Sequence, residues 1–231
     1  MQTYSWISAN MELFKLIYSL IVVFVCGVIV LKAHSLFRVS MHQGIRYFRN
    51  AFFFYGIAFV FRYVLGSRII SGMFISGANY WIIVCLFEFF LVMGSFFLLY
   101  SLIWKRFEPS EKGAFSSLFN WKIMVFYVMS FIIAFLDCVW HHYTFMFLSQ
   151  IILFLVMIFI SYDNYKYQGR KRVFLKFYFI AMLLGLTAWT LNALVAFYLS
   201  WNKVVLLGVY LINIVIFIMF LWGVQKVTRK K

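Results

Sequence analysis

Apolar residues run in long blocks along this chain, and charged residues gather between the blocks. Stretches such as 20–31 and 151–160 are apolar without a break and do not alternate. A membrane β-strand would alternate apolar and polar positions. A helix needs roughly 20 apolar residues to cross the hydrocarbon of a bilayer. Seven segments reach that length, at 13–31, 47–65, 80–104, 123–139, 143–161, 173–199 and 204–224. In lipid only helices and closed barrels satisfy their own backbone groups. The pattern therefore predicts an all-α integral membrane protein, one seven transmembrane helix bundle over residues 1–231. The fourth and fifth segments are separated by Trp140, His141 and His142 alone. They are expected to form a tight hairpin.

Composition agrees with that reading. The chain is 66% hydrophobic and 12% charged, where soluble domains are about half apolar and about a quarter charged. Pro109 is the single proline, which argues further against many short strands. Trp81, Trp104, Trp121, Trp140, Trp201 and Trp222 fall near segment ends, as an interfacial aromatic belt would place them. Cys26, Cys85 and Cys138 lie within apolar runs and offer neither a disulfide framework nor zinc spacing. Residues 1–10 lack a basic region, short apolar stretch and cleavage site, so no removable signal peptide is expected.

The net charge of +15 changes the picture through its placement. Lys32, Arg38, Arg46 and Arg49 flank the first connection. Lys105, Arg106, Lys112 and Lys122 flank the third, and Lys166, Arg170, Lys171, Arg172 and Lys176 the fifth. Lys226, Arg229, Lys230 and Lys231 form the tail. Of the 21 basic residues, the four left over are Lys15, Arg62, Arg68 and Lys203. Positive residues stay cytoplasmic, so a multi-pass cell-membrane protein with its N-terminus outside and C-terminus inside is expected. The expected partner of this basic face is anionic lipid headgroups, not nucleic acid.

Two cytoplasmic connections read alike. His42-Gln43-Gly44-Ile45-Arg46-Tyr47-Phe48 precedes the second segment, and Tyr167-Gln168-Gly169-Arg170-Lys171-Arg172-Val173-Phe174 the sixth. Either helices one to three repeat as five to seven, in parallel, or Gly-basic turns recur by chance. Parallel repeats occur in sugar-efflux transporters. The resulting 3+1+3 plan resembles the large transporter, opsin and receptor group of seven-helix proteins over the whole chain. It also resembles the seven-helix sensor regions that precede prokaryotic histidine kinases, although here a short basic tail follows the seventh segment. The Pro-Gln pairs of the PQ-loop and sugar-efflux families are missing, since Gln43 and Gln168 lack a preceding proline. A retinal protein needs a lysine deep in the last helix. None lies within 204–224 and Lys203 sits at its edge, so no retinal is expected, nor any other cofactor.

Ionisable residues within membrane segments default to functional candidates. Glu88 lies eight residues into the third segment, roughly 12 Å deep at 1.5 Å per residue. Arg62, one turn from the end of the second, reaches similar depth, and an ion pair between them is expected. Asp137 and His141 share a helical face, four residues apart. Gln150 lies one-third down the fifth segment. Thr187, Trp189, Thr190 and Asn192 occupy the outer half of the sixth, and Tyr210 and Asn213 that of the seventh. These residues either line an outward-open pocket or join helices by hydrogen bonds. Glu88, Arg62, Asp137, Gln150, Trp189, Asn192, Tyr210 and Asn213 are the ligand-binding candidates.

Asp137, His141 and His142 are weak metal candidates. Seven-helix zinc hydrolases of the ceramidase kind would add histidines in the last segment, where this chain has none. Glycines are too scattered for a phosphate loop, and no Ser-His-Asp set shares one depth, so an enzyme is not expected. The leading expectation is a receptor or sensor. It would bind a small ligand from outside and signal to a cytoplasmic protein partner. The alternatives are a small-solute transporter coupled to protons through Glu88, and a structural membrane subunit.

Overall fold

A computed structural model of the protein describes residues 10–66, 77–107, 121–167, 173–199 and 201–228. Seven helices cover them, and no strand occurs among these residues. They are α1 (Met11–Ser40), α2 (Gln43–Phe59, continued by π-helical turns over Val60–Leu65), α3 (Gly77–Phe107), α4 (Trp121–Trp140), α5 (Thr144–Tyr167), α6 (Val173–Phe197) and α7 (Lys203–Thr228). All seven are long and apolar enough to cross a membrane, which makes this a multi-pass membrane protein.

Most helices run past the segments that hydropathy marks. α1 continues nine residues beyond 31, to Ser40, and α5 continues to Tyr167. Hydropathy registers the lipid-embedded part. Intrahelical hydrogen bonding has no reason to stop at the same depth. The sixth segment is the exception, ending at Phe197 rather than 199.

Neighbour relations define the architecture. α1 packs on α2, α2 on α3, α3 on α5, α5 on α6, α6 on α7, and α7 returns to α1. Six helices thus close a ring. α4 packs on α3 and α5 from outside it. Burial agrees, for the apolar window of α4 is 22% buried against 61% for α3. Of the two similar connections, the copy at 168–172 lies outside the described residues.

Between membrane helices there is little hydrophobic driving force, so close packing and a few hydrogen bonds hold them together. Aromatic rings do much of it here. Phe54 of α2 stacks on Phe97 of α3 at 5.2 Å, and Phe96 of α3 on Phe126 of α4 at 5.1 Å. At one end of the ring Phe52 and Phe48 of α2 meet Phe220 of α7 at 5.1 and 5.9 Å. Tyr178 of α6 adds its edge to Phe220 at 5.5 Å, and its hydroxyl donates to the Leu98 carbonyl of α3 at 3.2 Å.

Three turns are made without glycine. Met41, His141 and Trp201 hold φ of 51°, 55° and 59°, a left-handed conformation that costs an L-residue roughly 1–2 kcal/mol. Met41 ends α1 there and donates its N–H to the Phe37 carbonyl at 2.8 Å. Its side chain is exposed, so nothing is lost by removing it. Met41→Gly is expected to stabilise the bundle by about 0.5–1 kcal/mol, after the greater freedom of glycine in the unfolded chain is subtracted. An SDS titration of the detergent-solubilised protein, followed by circular dichroism, reads this as a higher unfolding midpoint.

Candidate functional site

The ring encloses a cavity of about 600 Å³, lined by residues from all six ring helices and by none from α4. That size lies in the range of small-molecule sites. Lys15, Gly66, Tyr80 and Trp201, at or near helix ends on the side that carries the amino terminus, mark its mouth. Glu12 and Lys15 stand there as an ion pair of 2.9 Å. The far end is Phe52, Leu98 and Phe220, where the rings of α2, α6 and α7 close together.

The polar residues of the cavity collect toward the mouth. Tyr18 of α1 stacks on Tyr210 of α7 at 4.4 Å and meets Tyr63 of α2 edge-on at 5.4 Å. The Tyr18 hydroxyl lies near the Asn213 side chain, and that of Tyr63 near Tyr210. Asn192 and Trp189 of α6 complete the wall.

Arg62 is the cation of this wall. It lies in the π-helical turns of α2, where Gly66 N–H bonds back five residues to the Phe61 carbonyl at 3.0 Å. A π turn takes up an extra residue, and Arg62 and Tyr63 both line the cavity. Such turns recur at functional sites. The guanidinium donates to the Tyr143 hydroxyl at 3.3 Å. It lies over the rings of Phe87 and Tyr143 at 5.4 and 5.3 Å.

The expected ion pair between Arg62 and Glu88 is not made. On α3 the cavity stripe is Tyr80, Phe87, Leu91 and Leu98. Glu88 is one residue further round, about 100° at 3.6 residues per turn, and so leaves the stripe. It is close enough to feel the Arg62 charge, and its carboxyl is also near that of Asp137 on α4. Glu88 is 1% exposed, and its Oε2 has no hydrogen-bond partner among the described residues.

Asp137 is likewise outside the cavity lining. Its two oxygens accept from the backbone N–H groups of Phe145 and Met146, at 2.9 and 2.6 Å. These are among the first donors of α5, which its own helix leaves unsatisfied. The carboxylate of one helix thus caps the next across the tight hairpin. His141 packs on Trp81 at 4.3 Å, and among the described residues no group of three His, Cys, Asp or Glu side chains could hold a metal ion.

Gln150 is fully buried between α3 and α5. Its Oε1 accepts from Ser95 at 2.5 Å, leaving the Ser95 oxygen to accept from the Tyr55 hydroxyl at 2.8 Å. This chain of bonds ties α2, α3 and α5 together. Thr187 and Thr190 are exposed on the outside of α6, with hydroxyls bonded to the Leu183 and Leu186 carbonyls at 3.0 and 2.9 Å.

Of the eight ligand-binding candidates, Arg62, Trp189, Asn192, Tyr210 and Asn213 line the cavity, while Glu88, Asp137 and Gln150 do not. Sequence reasoning passed over Tyr18, Tyr63 and Tyr143. Among 15 tyrosines and 31 phenylalanines, nothing local marks which ones face inward. No protein-family model, characterised protein or solved structure matches the chain.

Losing a helix cap costs about 0.5–2 kcal/mol, and stranding a buried polar group adds about 1–3 kcal/mol. Asp137→Ala is therefore expected to destabilise the bundle by about 2 kcal/mol or more, and Asp137→Asn, which keeps an acceptor, by less. SDS titration checks both. An unchanged midpoint for Asp137→Ala would mean that the cap does not hold the hairpin.

Proposed function

We propose that this chain is a membrane receptor or sensor whose small ligand binds in the central cavity. The carrying observation is that one cavity touches all six ring helices. A ligand there contacts every element of the ring at once, so its differential contacts bias how those helices sit. The one-sided distribution of Lys and Arg supports an amino terminus outside and basic helix ends in the cytoplasm. The ligand then comes from outside, and the basic face meets anionic lipid and a protein partner.

A second reading, a transporter with a parallel 3+1+3 repeat, draws on the position of α4 outside the ring. It requires a polar path to the far side. The aromatic closure by Phe48, Phe52, Tyr178 and Phe220 favours the receptor.

Two measurements test these readings. With Cys26, Cys85 and Cys138 replaced by alanine, Asn192→Cys is expected to react with a membrane-impermeant maleimide on intact cells. Lys226→Cys is expected to react after permeabilisation alone. The reverse pattern would invert the orientation, and silence at Asn192→Cys would close the cavity. In proteoliposomes carrying a pH-sensitive dye, no proton flux above that of protein-free vesicles is expected. Flux abolished by Glu88→Gln would overturn the receptor reading in favour of the transporter.

A further inference from the structure

We infer that the ligand of this cavity is a single-chain amphiphilic monoanion, with a carboxylate-like head at Arg62 and a hydrocarbon tail directed toward Phe52 and Phe220. This rests on the cavity being a ligand site, and adds the chemical class of the occupant.

The head group follows from charge. Glu12, Lys15 and Arg62 are the charged side chains of the lining. Glu12 and Lys15 pair with each other at the mouth. Arg62 makes no ion pair among the described residues. Its direct contacts are a tyrosine hydroxyl and two aromatic faces, with the Glu88 carboxyl nearby on α3 but not paired with it. These contacts stabilise a cation without neutralising it. A guanidinium offers five N–H donors in a planar fork that matches a carboxylate. One such group suits one negative charge. A cationic ligand would be repelled, and a neutral one would leave the charge unmatched in a site poorly screened by water.

The tail follows from the other end. Below the tyrosine collar the lining is Leu91, Phe154, Gly185, Ile216 and Phe217, and then Leu98 with the closing phenylalanines. Tyr55 lines this part as well, with its hydroxyl taken up by Ser95 at 2.8 Å; the other side chains cannot hydrogen-bond. Gly185 faces the Phe154 ring, which occupies the place an added Cβ would take. Arg62 and Phe52 are ten residues apart on α2, or roughly 15 Å at 1.5 Å per residue. An elongated space with a cation at one end and aromatic rings at the other fits a medium-length acyl chain. It fits a compact polar solute poorly.

The test uses the full chain in phosphatidylcholine nanodiscs at pH 8, with binding of tritiated dodecanoate read by scintillation proximity against empty nanodiscs. Saturable binding is expected, displaced by excess dodecanoate but not by dodecanol or dodecyltrimethylammonium. Competition should strengthen from butanoate through octanoate to dodecanoate. Arg62→Ala should weaken binding about tenfold or more, since it removes one partner of a buried charge pair. Arg62→Lys should fall between. The head-group and chain-length series use the parent protein, so the test stands even if an Arg62 variant fails to fold. Equal displacement by dodecanol, or parent-like binding by folded Arg62→Ala, would overturn the anion assignment. Flat competition across chain lengths would overturn the tail. If no saturable binding occurs while Asn192→Cys still labels, the ligand class is wrong and the cavity reading stands. If neither occurs, the cavity reading itself falls.

Discussion

Lipid offers no hydrogen bonds, and that constraint shapes every part of this bundle. It forces the chain into helices, whose backbone groups satisfy one another. It leaves the helix ends as the places where polar groups still need partners. At the hairpin between α4 and α5 the turn is too short for the chain to supply them from water, and the Asp137 carboxylate does so from the preceding helix. At the start of α7 the Asn202 side chain does the same for Val204 and Val205, at 3.0 and 3.4 Å. The same constraint makes polar contacts between helices few. Ring packing carries most of the remainder. Aromatic rings fill space unevenly around a closed ring of six helices, and the unfilled part is the cavity.

Helix number and identity were legible because lipid imposes a length on each apolar block, and that length is written in single residues. Helix ends were less so. Ser40 and Tyr167 lie where charges have already begun, and a helix persists there on its own hydrogen bonds. The order of the ring was not legible, since nothing in residues 123–139 says that α4 faces lipid on most of its surface. Its exposed residues, such as Phe131 and Phe135, differ in no local way from the buried phenylalanines of α2.

The candidate site was legible to the extent that depth alone decides it. Residues of similar depth were expected to meet. Depth does not fix azimuth, however, and one residue turns a helical side chain by about 100°. Phe87 and Glu88 are neighbours at nearly one depth. Phe87 faces the cavity and Arg62, while Glu88 faces α4. Thr187 and Thr190 share the depth of Trp189 but point to the outside, where each hydroxyl bonds its own helix. A threonine in lipid can always do this, so its presence in a segment says little about a site.

What separates a polar residue that joins helices from one that awaits a ligand is whether its bonding capacity is already used. Asp137 accepts two backbone N–H groups and lies near Glu88. Ser95 is held by Gln150 and Tyr55, and Lys15 by Glu12. The first two of these arrangements join helices within the bundle, although Glu88 Oε2 and Gln150 Nε2 have no partner among the described residues. Arg62 is different, because its direct contacts are soft and neutral and it forms no ion pair among the described residues. It is held in the wall by π-helical turns, a geometry that helices rarely adopt. A bundle that needed a cation merely to bind α2 to α3 would have Glu88 within reach, one residue round the adjacent helix. Instead that carboxyl is turned toward α4, and the guanidinium faces the cavity, where an anion from elsewhere would complete it.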